Sequence, residues 1–61
     1  MTKVYTWRTT KTETGYRWQV IAIEHAQPIQ LVEQGDCSTR AKASLRARRA
    51  VMPYRRGEKQ A

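Results

Sequence analysis

The sequence predicts an α+β fold: a three-stranded antiparallel sheet packed on one C-terminal helix. Three observations carry the prediction. Two runs in the first half alternate apolar or aromatic residues with polar ones, the period of a half-buried strand. A third, shorter run follows after a proline. The last third then changes to strong helix formers with apolar residues three or four apart.

The first strand is read over residues 3–10, Lys-Val-Tyr-Thr-Trp-Arg-Thr-Thr. Its β-branched and aromatic content suits a pleated surface, with Tyr5, Trp7 and Thr9 on one face and Thr6, Arg8 and Thr10 on the other. Lys11-Thr12-Glu13-Thr14-Gly15 is a polar turn ending in glycine. Residues 16–24 form the strongest strand: Tyr16, Trp18, Val20 and Ala22 alternate with Arg17, Gln19, Ile21 and Ile23. Its second half is apolar on both sides, as expected of a central strand. His25-Ala26-Gln27-Pro28 is a second turn, Ile29-Gln30-Leu31-Val32-Glu33 a third strand, and Gln34-Gly35-Asp36 its end. Short connections make a meander the simplest topology.

Ser38 or Thr39 is placed to cap a helix, because a hydroxyl there accepts a free amide of the first turn. Residues 41–52 hold no helix breaker, and Pro53 is expected to stop the helix at about Met52. On this helix Ala41, Leu45 and Met52 fall together, with Val51 to one side; Ala43, Ala47 and Ala50 widen the arc. Lys42, Arg46 and Arg49 line the opposite side. Residues 1–53 are thus expected to form one domain, and 54–61 a basic flexible tail.

At 61 residues the chain is near the lower limit for a fold held by a core alone. Its single cysteine allows no internal disulfide, and one histidine leaves no zinc-binding spacing. No apolar run spans a membrane and the start is not a signal peptide, so a soluble, cytoplasmic protein is expected, the lone thiol fitting a reducing compartment. The core must come from two Trp, three Tyr and a few Ile, Val and Leu, since there is no Phe. Trp7 and Trp18 are assigned to it, and Tyr54 is the aromatic expected to be exposed.

The formal net charge is +7, and its distribution says more than its total. In residues 1–37 the four cations Lys3, Arg8, Lys11 and Arg17 are cancelled by Glu13, Glu24, Glu33 and Asp36. Residues 38–61 hold eight cations against Glu58 alone. Such asymmetry points to a polyanion partner. Lys42, Arg46 and Arg49, at i, i+4 and i+7, make a phosphate-tracking stripe, with Arg40 in the first helical turn and Arg55 and Arg56 adding contacts from the tail. On the sheet face away from the helix, Thr6, Arg8, Thr10, Arg17, Gln19 and Gln30 would stand together, with Lys11 at the strand end. Arg and Gln have natural partners on guanine and adenine edges in a DNA major groove.

Catalysis is not expected. Cys37 and His25 have no third orienting group, the acidic residues show no pairing, and no Gly-rich phosphate loop exists. Cys37 is read as a small buried residue where sheet meets helix. No cofactor, metal or small-molecule substrate is called for.

Two short elements carry a family resemblance. Gly15-Tyr16-Arg17-Trp18-Gln19-Val20 resembles the Gly-x-Trp segment, and Cys37-Ser38-Thr39-Arg40-Ala41-Lys42-Ala43 the helix-opening aromatic-x-Thr-Lys/Arg-x-x-Ala element, of the amino-terminal arm-site DNA-binding domains of tyrosine recombinases and their AP2-type relatives. Cys37 stands where an aromatic is usual, and Gly15 lies further from Trp18 than in the tightest form of the motif. The resemblance spans about residues 4–52 and implies a sheet that enters the major groove, with contacts from Arg8, Thr10, Arg17, Gln19 and Gln30.

The expectation is therefore a nucleic-acid-binding protein, DNA favoured over RNA, acting as an accessory or regulatory factor of a phage or mobile element, as a monomer or weak dimer. Two alternatives stand beside it. One is a small phage-type protein that binds and inhibits a host protein such as RNA polymerase, using an exposed strand edge or Ile21 and Ile23. Double-stranded RNA binding is the other, since those domains also end in a sheet followed by a basic helix.

Overall fold

The first strand, β1 (Val4–Lys11), reverses through residues 12–15 into β2 (Tyr16–Ile23). The turn is closed by the Thr12 amide donating to the Gly15 carbonyl at 2.8 Å and the Gly15 amide to Thr12 Oγ1 at 3.1 Å. Glycine is needed at position 15, because a Cβ there would run into the Cys37 carbonyl oxygen. A loop over residues 24–29, with Ala26 in the left-handed region (φ 62°), leads to β3 (Gln30–Cys37). The helix α1 (Arg40–Arg55) completes the chain. This computed structural model describes residues 3–60; the first two residues of the expected domain and Ala61 of the expected tail lie outside them.

The sheet is antiparallel in the order β1-β2-β3, and α1 packs on one face of it. The β-β-β-α architecture is as the sequence predicts. Three local features differ.

First, β3 does not end at Glu33 but runs on to Cys37, with Trp18 opposite Gly35 and Arg17 opposite Asp36. The glycine is part of the strand for a packing reason. A Cβ on Gly35 would lie 2.7–2.8 Å from Nε1, Cε2 and Cζ2 of Trp18, so only glycine lets the indole rest on the strand. Second, β3 carries a bulge. Val20 pairs with Glu33 but Ile21 pairs with Leu31, leaving Val32 as the extra residue. Glu33 and Val32 both turn towards the helix side, and alternation restarts one residue out of step. Gln30 therefore pairs with Ala22, in the helix-side row, and not with the outward residues among which it was expected.

Third, the helix is rotated and longer than expected. Its buried residues are Ala43, Ala47, Val51 and Tyr54, while Leu45 and Met52 remain 45% and 43% exposed. The pattern i, i+4, i+8, i+11 is free of charge throughout. A face centred on Leu45 and Met52 would bring Arg48 and Arg49, which lie between them, against the sheet. Burying an unpaired guanidinium costs far more than leaving two apolar side chains half wet.

The helix also passes through Pro53 instead of stopping before it. Proline there forfeits only one bond, to the Arg49 carbonyl. In return Tyr54, expected to be exposed, is only 8% exposed: its ring centroid lies 5.2 Å from that of Tyr5 and its hydroxyl donates to Glu33 Oε2 at 2.7 Å. The N-terminus is capped as read, with Thr39 Oγ1 accepting from the Lys42 amide at 3.2 Å.

The core centres on Val20, Val51 and Tyr54, with Tyr5, Trp7, Trp18, Val32 and Ala50 packed around them. Cys37 is half-buried, more open than the buried position expected for it.

Candidate nucleic-acid interface

The geometry of α1 makes three sides available. Ala43, Ala47 and Val51 face the sheet. At about 100° per residue, Arg46 then projects sideways, over the edge strand β3, and Lys42 and Arg49 stand further round towards the outer side, yet all three line the space beside β3. Arg48 and Arg55 lie on the other flank, towards β1, and Arg40 stands exposed at the start of the helix, in line with its buried face.

The β3 side forms a continuous groove. One stretch, of about 470 Å³, is lined by Asp36, Ser38, Lys42, Leu45, Arg46 and Arg49. The next, of about 460 Å³, shares Arg46 and Arg49 and adds Trp18, Glu33, Pro53 and Lys59. The three helical cations are spaced by about 6 Å and about 4.5 Å along the axis, from the helical rise. Among the described residues none of them forms an ion pair: the three pairs present are Arg17–Asp36, Arg56–Glu58 and Lys59–Glu33, at 3.0, 2.8 and 3.8 Å. The predicted stripe is thus brought together, and Lys59 and Trp18 join it.

The helix contains no acidic residue, and its first turn holds Arg40 and Lys42. Cations at a helix N-terminus oppose the macrodipole, and like charges at i, i+4 repel. This placement works against helix stability; a bound polyanion would relieve it.

The open face of the sheet is built differently. Arg8, Gln19 and Gln34 form one hydrogen-bonded row across all three strands: Arg8 Nε donates to Gln19 Oε1 at 2.7 Å, and Gln19 Nε2 donates to Gln34 Oε1 at 3.1 Å. The adjacent row is Thr10, Arg17 and Asp36, with Arg17 Nε donating to Asp36 Oδ1 at 3.0 Å. Gln34 and Asp36 were missed in the sequence because β3 was cut short; their alternation with Gly35 was the signal. The two arginines are offset by Asp36, so this face carries far less net charge than the helix. Its other end is apolar. Val4, Ile23 and Leu31 are exposed around Ile21, which is only 6% exposed although no helix covers that face.

The remaining predicted residues are not brought to either surface. Lys11 pairs with Tyr16 in the helix-side row. Arg55 donates through Nε to the Tyr5 carbonyl of β1 at 3.0 Å, on the side away from the groove. Arg56 is held by Glu58, and the Glu58 and Lys59 amides both donate to the Pro53 carbonyl. His25 and Cys37 stand at opposite ends of the sheet. Among the described residues there is no group of three or more acidic, His or Cys side chains placed to hold a metal ion, and no helix is long and apolar enough to cross a membrane.

Compared with protein-family models, curated proteins and solved structures, the chain finds no match in any of the three.

Proposed function

We propose that this chain is a non-enzymatic nucleic-acid-binding protein that holds a phosphate backbone along the groove between β3 and α1. The observation that carries the reading is the row of Lys42, Arg46 and Arg49, aligned on one flank with no carboxylate partner among the described residues. DNA is the favoured polymer, because the Arg8–Gln19–Gln34 row on the neighbouring face offers the side chains that suit base edges in a major groove. Both surfaces border β3, so backbone and base contacts would meet at that edge. A cytoplasmic accessory or regulatory role in a phage or mobile element is the setting this reading implies, and a sheet-first approach to DNA of the arm-site kind would fit it.

Fluorescence anisotropy with labelled duplex DNA, single-stranded DNA and duplex RNA at two salt concentrations tests the proposal. Binding should weaken steeply with salt. The double variant Arg46→Ala/Arg49→Ala should lower affinity for all sequences and reduce the salt slope by about 2, one per phosphate contact. Unchanged affinity and slope in that variant would remove the groove from the interface.

A second reading rests on the apolar end of the open face. Val4, Ile23 and Leu31, with Ile29 beside them, are the exposed large hydrophobics of the sheet end. Such a patch suits a protein partner, as a host-protein inhibitor would require. Salt-insensitive capture of a protein, abolished by Ile23→Asp, would favour that reading.

A further inference from the structure

We propose that the part of the groove floored by Trp18 is a site for an unpaired nucleotide of DNA or RNA; the inference rests on the nucleic-acid reading above and names the form of polymer it takes. Three observations lead to it. The Trp18 indole lies across Gly35 and forms one wall of a cavity of about 460 Å³, within the range of small-ligand pockets. That cavity is rimmed by Arg46, Arg49 and Lys59.

The third observation concerns the indole N–H. None of the side-chain hydrogen bonds among the described residues uses it, and no buried side-chain nitrogen or oxygen lacks a partner. The Trp18 N–H therefore has no side-chain hydrogen-bond partner among the described residues and is not fully buried, and the ring is half-buried. A half-buried tryptophan whose N–H has no partner in the protein leaves that donor to water or to a ligand. Here one edge of the ring is fixed by the core and the other is presented among cations.

A nucleotide satisfies each of these groups. Its base can lie against the indole, its phosphate can take the N–H and the guanidinium groups of Arg46 and Arg49, and an exocyclic amine can meet Glu33. Stacking needs the base out of its own duplex, so the site selects unpaired over paired residues.

The test uses the intrinsic fluorescence of Trp18 in a Trp7→Phe background. Mixed-sequence DNA and RNA single strands, and the corresponding duplexes, are titrated at low salt. Single strands should quench Trp18 strongly and duplexes should not. Because Trp18 also contacts the core, Trp18→Leu is compared with it after folding is verified by circular dichroism. It should lose single-strand affinity by on the order of tenfold, the worth of one stacked base, and leave duplex affinity nearly unchanged. Equal quenching by duplex, single-strand binding without quenching, or equal losses for both forms in Trp18→Leu would each overturn the site while leaving the groove's phosphate role intact. Absence of salt-sensitive binding to every polymer would overturn both.

Discussion

Exchanging bulk between two positions of α1 tests which side of the helix faces the sheet. Ala47 is fully buried, and Leu45, two residues earlier, is 45% exposed. Replacing Leu45 by alanine removes a side chain whose full burial would contribute roughly 1.5–3 kcal/mol. With nearly half of it already in water, and alanine the better helix former, the expected cost is under about 1 kcal/mol. Replacing Ala47 by leucine forces three extra heavy atoms between the helix and the sheet, costing about 1–3 kcal/mol or more. A 61-residue domain has about 3–9 kcal/mol of stability to lose, and each kcal/mol moves Tm by about 4–8 °C at this size. Thermal melts followed by far-ultraviolet circular dichroism should show Ala47→Leu losing on the order of 10 °C and Leu45→Ala only a few. If Leu45→Ala melts below Ala47→Leu, the helix packs through Leu45 and Met52, and the placement of Lys42, Arg46 and Arg49 beside β3 falls with it.

Three further outcomes follow from single residues. Gly35→Ala should displace the Trp18 indole, lowering stability by about 1–3 kcal/mol in urea unfolding and shifting the Trp18 emission; an unchanged spectrum would show that Gly35 does not support the ring. Ala26→Gly should raise stability by up to about 1 kcal/mol, since alanine is held at φ 62° in an exposed turn; a loss in the same unfolding assay would refute it. The Tyr54 phenol is held above its ordinary value of 10.0 by its hydrogen bond to Glu33, then by burial, then by the Glu33 charge. The fold thus prefers the protonated phenol, so this contribution is complete below pH 10 and is lost as pH rises through the raised value. The difference between the phenolate absorbance titrations of wild type and Tyr54→Phe should have its midpoint above 10.0, and a midpoint at or below it would contradict the buried hydrogen bond.

The elements were legible in the sequence because each obeys a local rule: period-2 alternation in β1 and β2, a hydroxyl cap at Thr39, and helix formers after it. What was not legible depended on partners distant in sequence. Gly35 reads as a strand breaker until Trp18 is placed opposite it. Pro53 reads as a stop until Tyr54 is seen to gain Tyr5 and Glu33 by continuing the turn. The bulge at Val32 has no signature of its own, yet it moves Gln30 off the open face. The helix phase follows from the same error at Pro53. With Tyr54 left in a tail, the apolar residues of 41–52 centre on Leu45 and Met52; with it included, Ala43, Ala47, Val51 and Tyr54 form the uncharged face.

That rotation changes the functional argument more than the fold. Were the helix packed through Leu45 and Met52, the stripe would stand on the β1 flank, away from the strand that supplies Gln34 and Gly35. With the stripe over β3, Lys42, Arg46 and Arg49 border the same edge strand that supplies Gln34 to the open face and Gly35 to Trp18. One edge of the molecule then combines cations without partners, a half-buried aromatic whose N–H has no side-chain partner among the described residues, and a row of amide and guanidinium groups. Binding there requires no rearrangement of the core, because Val20 and Val51 lie behind it fully buried. Arg40 and Lys42 oppose the helix dipole in the first turn, and Arg46 follows Lys42 at i+4, so the same arrangement leaves the free helix electrostatically strained. A polyanion in the proposed groove would remove that strain while forming its own contacts, and its binding should therefore stabilise the fold in proportion to the cations it neutralises.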